Sequence, residues 1–208
     1  MEKTLHTPLT EEAIRALNMG DTVYVSGGMF TARDEAHLLL LEQAEQGKEI
    51  PFPISELALF HCGPVVKKVD EEWRFVSAGP TTSIRMEIVE DRFLETFSTR
   101  LIIGKGGMGS KTLAALQKVG AVYAHYTGGA GALAARAVKK VAAVHWLDRL
   151  GVPEAVWVLE IERFGPLTIT MDSHGKSLYS ELDETVKRNM EQIHAQIDKG
   201  AYQWRKKD

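Results

Sequence analysis

Ile102-Ile103-Gly104-Lys105-Gly106-Gly107-Met108-Gly109-Ser110-Lys111-Thr112-Leu113 is the stretch from which the fold can be read. Arg100–Ile103 is a short, β-branched apolar run and predicts a strand. The glycines after it predict a loop, and Leu113, Leu116 and Val119 recur at helical spacing up to Gly120. Strand, glycine loop and helix therefore follow one another within about twenty residues, as in α/β proteins.

The same junction recurs outward from this point. SGGMFTARDEAH from Ser26, SAGPTTSIRMEI from Ser77 and YTGGAGALAARAV from Tyr126 each place a small-residue loop between a β-rich run and a helical pattern. Upstream, Thr10 predicts an N-cap for a helix to Leu17, with Glu11 and Glu12 facing the positive end of its dipole. Asp21–Ser26 alternates as a strand that Gly27-Gly28 is expected to break, and Thr31 then caps a helix ending at Gly47. Ala58–His61 is a short strand. Val65 to Ser77 predicts a hairpin with Asp70-Glu71-Glu72 at its tip.

After Gly79-Pro80 a helix is expected through Ile84, Ile88 and Phe93. Ala121–Tyr126 predicts a strand, followed by an alanine-rich helix to about Lys140. Val156–Ile161 and Leu167–Met171 are β-rich, and Leu182, Val186, Met190, Ile193 and Ile197 mark one face of a final helix closed by Gly200. The class is α/β, with mixed strand pairing because of the hairpin. At 208 residues, without repeat or linker, the chain reads as one domain over 1–208.

Composition narrows the function classes. Hydrophobic residues make up 44% and charged residues 25%, ordinary for a soluble globular protein. A net charge of −3 and a pI near 6.2 give no global field toward nucleic acid or membrane. The first residues lack the apolar stretch of a signal peptide, and apolar runs such as Leu38–Leu41 and Ala155–Leu159 are too short to span a bilayer. With Cys62 as the only cysteine, the chain can form no intrachain disulfide and hold no cluster by itself. A cytoplasmic location is the expectation.

Strand–loop–helix junctions aim backbone N–H groups and a helix dipole at one point, which makes each a candidate anion site. Three of them also carry a cation, Arg33, Arg85 or Lys105, against the dipole of the following helix. Such cations answer to something outside the helix. Two guanidinium forks and a mobile ammonium suit a small acid with two carboxylates. Thr81-Thr82-Ser83 precedes Arg85, and in helical geometry Thr81 and Arg85 share a side. Capping is the plainer account of these hydroxyls.

Lys105–Thr112 approaches the phosphate-binding loop of nucleotide hydrolases, but Ser110 separates Gly109 from Lys111 and shifts the lysine relative to the cradle. A nucleotide-binding protein using this loop is the alternative reading. His6, His37, His61, His125, His145, His174 and His194 lack metal-ligand spacing. Asp172 and His174 sit in a DSHG segment that reads as a satisfied turn.

TARDEAH from Thr31, HCGPVV from His61, SAGPTTSIRME from Ser77, GKGGMG from Gly104, GGAGALAA from Gly128 and FGPLTITMDSHGKSLY from Phe164 resemble the beta region of iron–sulfur (class I) fumarate hydratases and tartrate dehydratases. The likeness runs from roughly residue 5 to 180. It implies a swivelling β/β/α domain that closes over an alpha subunit whose cysteines hold a [4Fe–4S] cluster, so that the cluster is carried by the partner chain and not by this one, in an α2β2 complex. It implies hydration or dehydration of a C4 dicarboxylate (fumarate/malate, tartrate or mesaconate). It assigns substrate contact to Arg33, Thr81, Arg85 and Lys105, with Thr81 as catalytic base and Lys105 supporting its ionised form. Those cations are the ones that the junction pattern selects independently.

Overall fold

The computed structural model describes residues 2–198. Strand β1 (Glu2–His6) leads to helix α1 (Glu11–Arg15), where the Thr10 side chain accepts from the Ala13 N–H as the sequence predicts. Strand β2 (Thr22–Thr31) and helix α2 (Asp34–Glu45) follow. Gly27-Gly28 does not end β2. The strand passes through them with register shifts between Val23 and Gly27, because β9 (Val156–Met171) pairs along its length and bulges take up the irregularity. Thr31 is therefore a strand residue, its hydroxyl accepting from the Trp157 N–H at 3.2 Å. Arg33 stands at the N-cap of α2 without a side-chain cap bond.

The hairpin is as expected: β4 (Val65–Val69) pairs antiparallel with β5 (Glu72–Ser77), and Asp70 and Glu71 take positive φ at the tip. The expected helix after Pro80 is two pieces, a 3₁₀ segment Ser83–Ile88 and helix α3 (Glu90–Phe97). Strand β3 (Ala58–Phe60), strand β6 (Leu101–Gly104), helix α4 (Ser110–Val119) and strand β7 (Val122–His125) match the reading, with Gly120 in the left-handed C-cap of α4. Helix α5 (Gly131–Ala137) stops short of Lys140, because Val138–His145 forms strand β8, pairing with β9. The two β-rich runs after residue 156 are one strand, β9. A short helix α6 (Leu147–Leu150) precedes it and helix α7 (Leu178–Asp198) closes the described residues. The expected stop at Gly200 lies outside them.

The sheet is mixed and closed. Its order is β1-β2-β3-β6-β7-β9-β8, parallel from β1 to β7, and β9 also pairs antiparallel with β2, so the ring returns on itself. Adjacent residues face opposite cores. Val23, Phe60, Ile103, Val122, Phe164 and Ile169 pack in one cluster, while Phe30, Leu59, Ile102, Tyr123 and Met171 meet α2, α3 and α4 in the other. Strands buried on both faces explain the unbroken apolar runs. Each fully buried Phe or Leu contributes about 1.5–3 kcal/mol relative to exposure. No helix among the described residues is long and apolar enough to cross a membrane.

Candidate active site

Parallel pairing brings the carboxyl ends of β2, β3, β6 and β7 together, the place where open α/β sheets bind ligands. Thr31 is opposite Phe60, Phe60 opposite Ile103, and Gly104 opposite His125, so Arg33, His61, Lys105 and Tyr126 leave the sheet side by side. Residues Pro80–Ser83 thread between these ends. The Thr81 N–H donates to the His61 carbonyl at 2.7 Å, the Lys105 N–H to the Thr81 carbonyl at 3.2 Å and the Ser83 N–H to the Lys105 carbonyl at 3.0 Å. Thr82 thereby bridges to Lys105 as in a parallel ladder. Backbone hydrogen bonds, not the expected helix, fix Thr81 beside Lys105.

Asp34 connects the arginines. The Arg85 Nε donates to Asp34 Oδ1 at 3.0 Å and its Nη2 lies 2.9 Å from Oδ2, a two-pronged pair. Arg33 Nε is 2.8 Å from Glu154 Oε1 and 3.5 Å from Asp34 Oδ2. Burial holds the Glu154 carboxyl above the ordinary range, against the opposing charge of Arg33. Gly63 gives Arg33 its room, since a Cβ there would fall 2.7 Å from Arg33 Nη1. The arginines are thus partly answered from within the chain. Lys105 has no ion pair or side-chain hydrogen bond among the described residues, and its stem runs toward Gly128.

The hydroxyls divide differently from the capping account. Thr82 holds the N-cap position of the 3₁₀ segment without a side-chain bond, and that segment starts after Thr81, so Thr81 and Arg85 do not share a helix face. Ser83 is buried, with its Oγ 3.0 Å from His61 Nδ1 and accepting from the Tyr123 hydroxyl at 2.9 Å. Thr81 is half-buried and its hydroxyl makes no hydrogen bond among the described residues.

The glycine loop of the alternative reading is closed. Glu87 accepts from the N–H groups of Gly109 at 2.7 Å, Lys111 at 3.2 Å and Thr112 at 3.4 Å, and from the Thr112 hydroxyl at 2.6 Å. A carboxylate already fills the position where a phosphate would bind. Asp172 forms the satisfied turn that the sequence suggests, accepting from the N–H groups of Met19, His174 and Lys176, each at 3.0 Å.

Residues 2–182 match the family described as Fumarase C-terminus. The chain belongs to the fumarase C-terminus family. A Methanocaldococcus jannaschii protein provisionally named L(+)-tartrate dehydratase subunit beta is 44% identical over 193 residues, covering 93% of this chain and 98% of that one. The L(+)-tartrate dehydratase subunit beta of Escherichia coli (strain K12) is 40% identical over 181 residues, 87% of this chain and 88% of the subunit. A Geobacillus stearothermophilus protein provisionally named fumarate hydratase class I is 39% identical over 191 residues, 91% of this chain but 36% of that protein. Fumarase C-terminus relatives thus include separate subunits and part of a longer chain.

The iron–sulfur group implied for such enzymes does not fit this chain's own residues. Cys62 is the single cysteine of the sequence, it is fully buried, and burial pushes its thiol pKa up, away from the thiolate a cluster needs. The sequence reading missed the residues that answer the cations, Asp34 and Glu154, and the buried His37, His61 and Glu90 beneath them. His37 and His61 lie inside quoted motifs, but only the fold brings them together.

Proposed function

We propose that this fumarase C-terminus chain is the beta subunit of a hydro-lyase that adds water to, or removes it from, a C4 dicarboxylate. The observation that carries the reading is the convergence of Arg33, Arg85, Lys105 and the unpartnered Thr81 hydroxyl at the ends of adjacent parallel strands. Arg33 and Arg85 hold substrate carboxylates through the donors that Asp34 and Glu154 leave free. Thr81 moves the proton at carbon. A threonine hydroxyl is a weak acid, so its ionised form needs a cation, and Lys105, bonded to Thr81 through the backbone and without an ion pair among the described residues, is the cation for that role.

The remainder of the site belongs to a cysteine-bearing alpha subunit that holds a [4Fe–4S] cluster, in an α2β2 complex. Two observations support a covering partner. Ile84 and Ile88 beside Arg85 are 50% and 82% exposed. Leu182, Val186, Met190 and Ile193 form an exposed apolar stripe on α7. A domain that swivels to close over substrate would bring these faces into contact. Fumarate/malate is the first substrate choice and tartrate and mesaconate follow; the location is the cytoplasm.

The test is reconstitution. Mixed anaerobically with its cluster-bearing partner, the chain should hydrate fumarate, read as loss of its ultraviolet absorbance, and assays with tartrate and mesaconate rank the acids. Loss of no acid in a complex that does assemble defeats the reading.

A further inference from the structure

Beneath the cations a chain of contacts runs from one substrate-binding loop to the others. His37 Nδ1 lies 2.9 Å from the Arg33 carbonyl. His37 Nε2 and His61 Nε2 each lie 3.3 Å from the same oxygen of Glu90, Oε2, and all three side chains are fully buried. His61 Nδ1 is 3.0 Å from Ser83 Oγ, which is 2.9 Å from the Tyr123 hydroxyl, itself 3.1 Å from the Gly106 carbonyl. The Tyr179 hydroxyl donates to the same carbonyl. The path therefore touches Arg33 itself, the Thr81–Ser83 segment and the residue after Lys105. Gly104 makes it possible, because a Cβ there would lie 1.9 Å from Ser83 Oγ and 3.3 Å from His61 Nδ1.

The charges at the buried centre can be assigned. A carbonyl only accepts, so His37 Nδ1 carries a proton to Arg33. If His37 were neutral, its Nε2 lone pair would face a carboxylate, so Nε2 is protonated too and the ring is an imidazolium. The Tyr123 hydroxyl has one proton for two acceptors, Ser83 Oγ and the Gly106 carbonyl, so donors along Tyr123, Ser83 and His61 Nδ1 can run in either direction, and charge balance with Glu90 sets His61 neutral beside the charged His37. One positive ring balances one carboxylate, which a fully buried pair requires. The titration tendencies agree. Burial lowers both histidines, but the Glu90 charge carries His37 above its ordinary value, while His61 stays below. Burial alone would raise Glu90, and the two rings bring it down to about 2. At 3.3 Å the contacts to Glu90 are long for hydrogen bonds, so charge rather than bond geometry holds the centre.

We propose that His37, Glu90, His61, Ser83 and Tyr123 are positioning residues, a buried strut that sets the Arg33 side of the site and the Thr81–Lys105 side at a fixed separation. This inference rests on the site reading given above. Its signature is a split. His37→Gln removes the donor to the Arg33 carbonyl and should raise KM about 10-fold with kcat within about 2-fold in the reconstituted complex. His37→Asn keeps an amide donor near Nδ1 and should restore much of that KM. Ser83→Ala, a change small enough to fold, cuts the strut on the other side and should lower kcat about 10-fold with KM within about 2-fold.

A uniform fall in kcat for His37→Gln and Ser83→Ala, or wild-type kinetics in both, overturns the strut. So does stoichiometric zinc or another divalent metal on the purified chain. The ligand atoms of His37, His61 and Glu90 lie within 4.8 Å of one another, and a metal would replace the shared proton. Arg33→Ala run in the same series separates the two levels: an unchanged KM there sinks the site reading itself, and the strut with it.

Discussion

The start of α4 and the Thr81–Ser83 segment both gather hydrogen-bond donors near the carboxyl ends of the parallel strands, yet they are filled in opposite ways. At α4 three backbone N–H groups and the Thr112 hydroxyl converge on Glu87, so the anion site is occupied by the chain's own carboxylate. At Thr81 the backbone is satisfied by His61 and Lys105, while the Thr81 hydroxyl and the Lys105 ammonium have no partner among the described residues. A glycine-rich loop before a helix is therefore weak evidence of a ligand site. The deciding question is whether the fold has already supplied the anion.

The comparison can be broken from either side. Lys105→Met removes the unanswered charge and should lower kcat of the reconstituted enzyme by about 10²-fold or more, since an alkoxide at Thr81 then loses its counterion; unchanged kcat would show that the free ammonium is only a surface charge. Arg85→Lys loses the planar fork and should raise KM by about 10-fold while kcat changes little, as steady-state kinetics would show. At the filled site the effect moves to stability. Glu87→Ala strips the cap from α4 and should cost about 1–2 kcal/mol in denaturant unfolding with kinetics intact. Wild-type protein should bind no magnesium nucleotide in a titration; binding there would revive the phosphate-loop alternative.

The smallest effect lies at the other end of β2. Lys3 Nζ sits 2.8 Å from Asp21, and this hydrogen bond draws the Asp21 pKa from 3.8 down to about 2. A lowered folded-state pKa stabilises above the unfolded value and is lost as pH falls through the folded one. The stability gap between wild type and Asp21→Asn should thus be full at neutral pH and shrink between about pH 4 and about pH 2. A gap independent of pH would assign it to packing.

Local chemistry was legible where a residue's own neighbours decide its structure. Thr10 as a cap, Gly120 as a helix stop and the hairpin tip at Asp70-Glu71 were all readable because each depends on a few consecutive residues. The α/β class was readable from the recurring junctions; mixed pairing was expected from the hairpin, but β4 and β5 form a separate two-stranded sheet and it is β9 that mixes the main one. What failed depended on distant strands. Gly27-Gly28 reads as a break until β9 pairs across it, and Val138–Lys140 reads as helix until β9 offers an edge to pair with. The site shows the same limit. Arg33, Thr81, Arg85 and Lys105 were selected by pattern, but nothing local announces that Glu154 meets Arg33, or that His37, His61 and Glu90 share one buried point. Histidines without spacing in sequence acquire it only through strand order.

Thr81 carries the account's central claim, and kcat of Thr81→Val in the complex reconstituted with the cluster-bearing partner tests it most directly. Valine keeps the shape and removes the hydroxyl, and the backbone bonds to His61 and Lys105 that hold this position are untouched. The account predicts a fall in kcat of about 10²–10⁴-fold with KM nearly unchanged. Near-wild-type kcat would contradict it, leaving Thr81 a loop residue held by its backbone bonds to His61 and Lys105 and the proton to a group elsewhere.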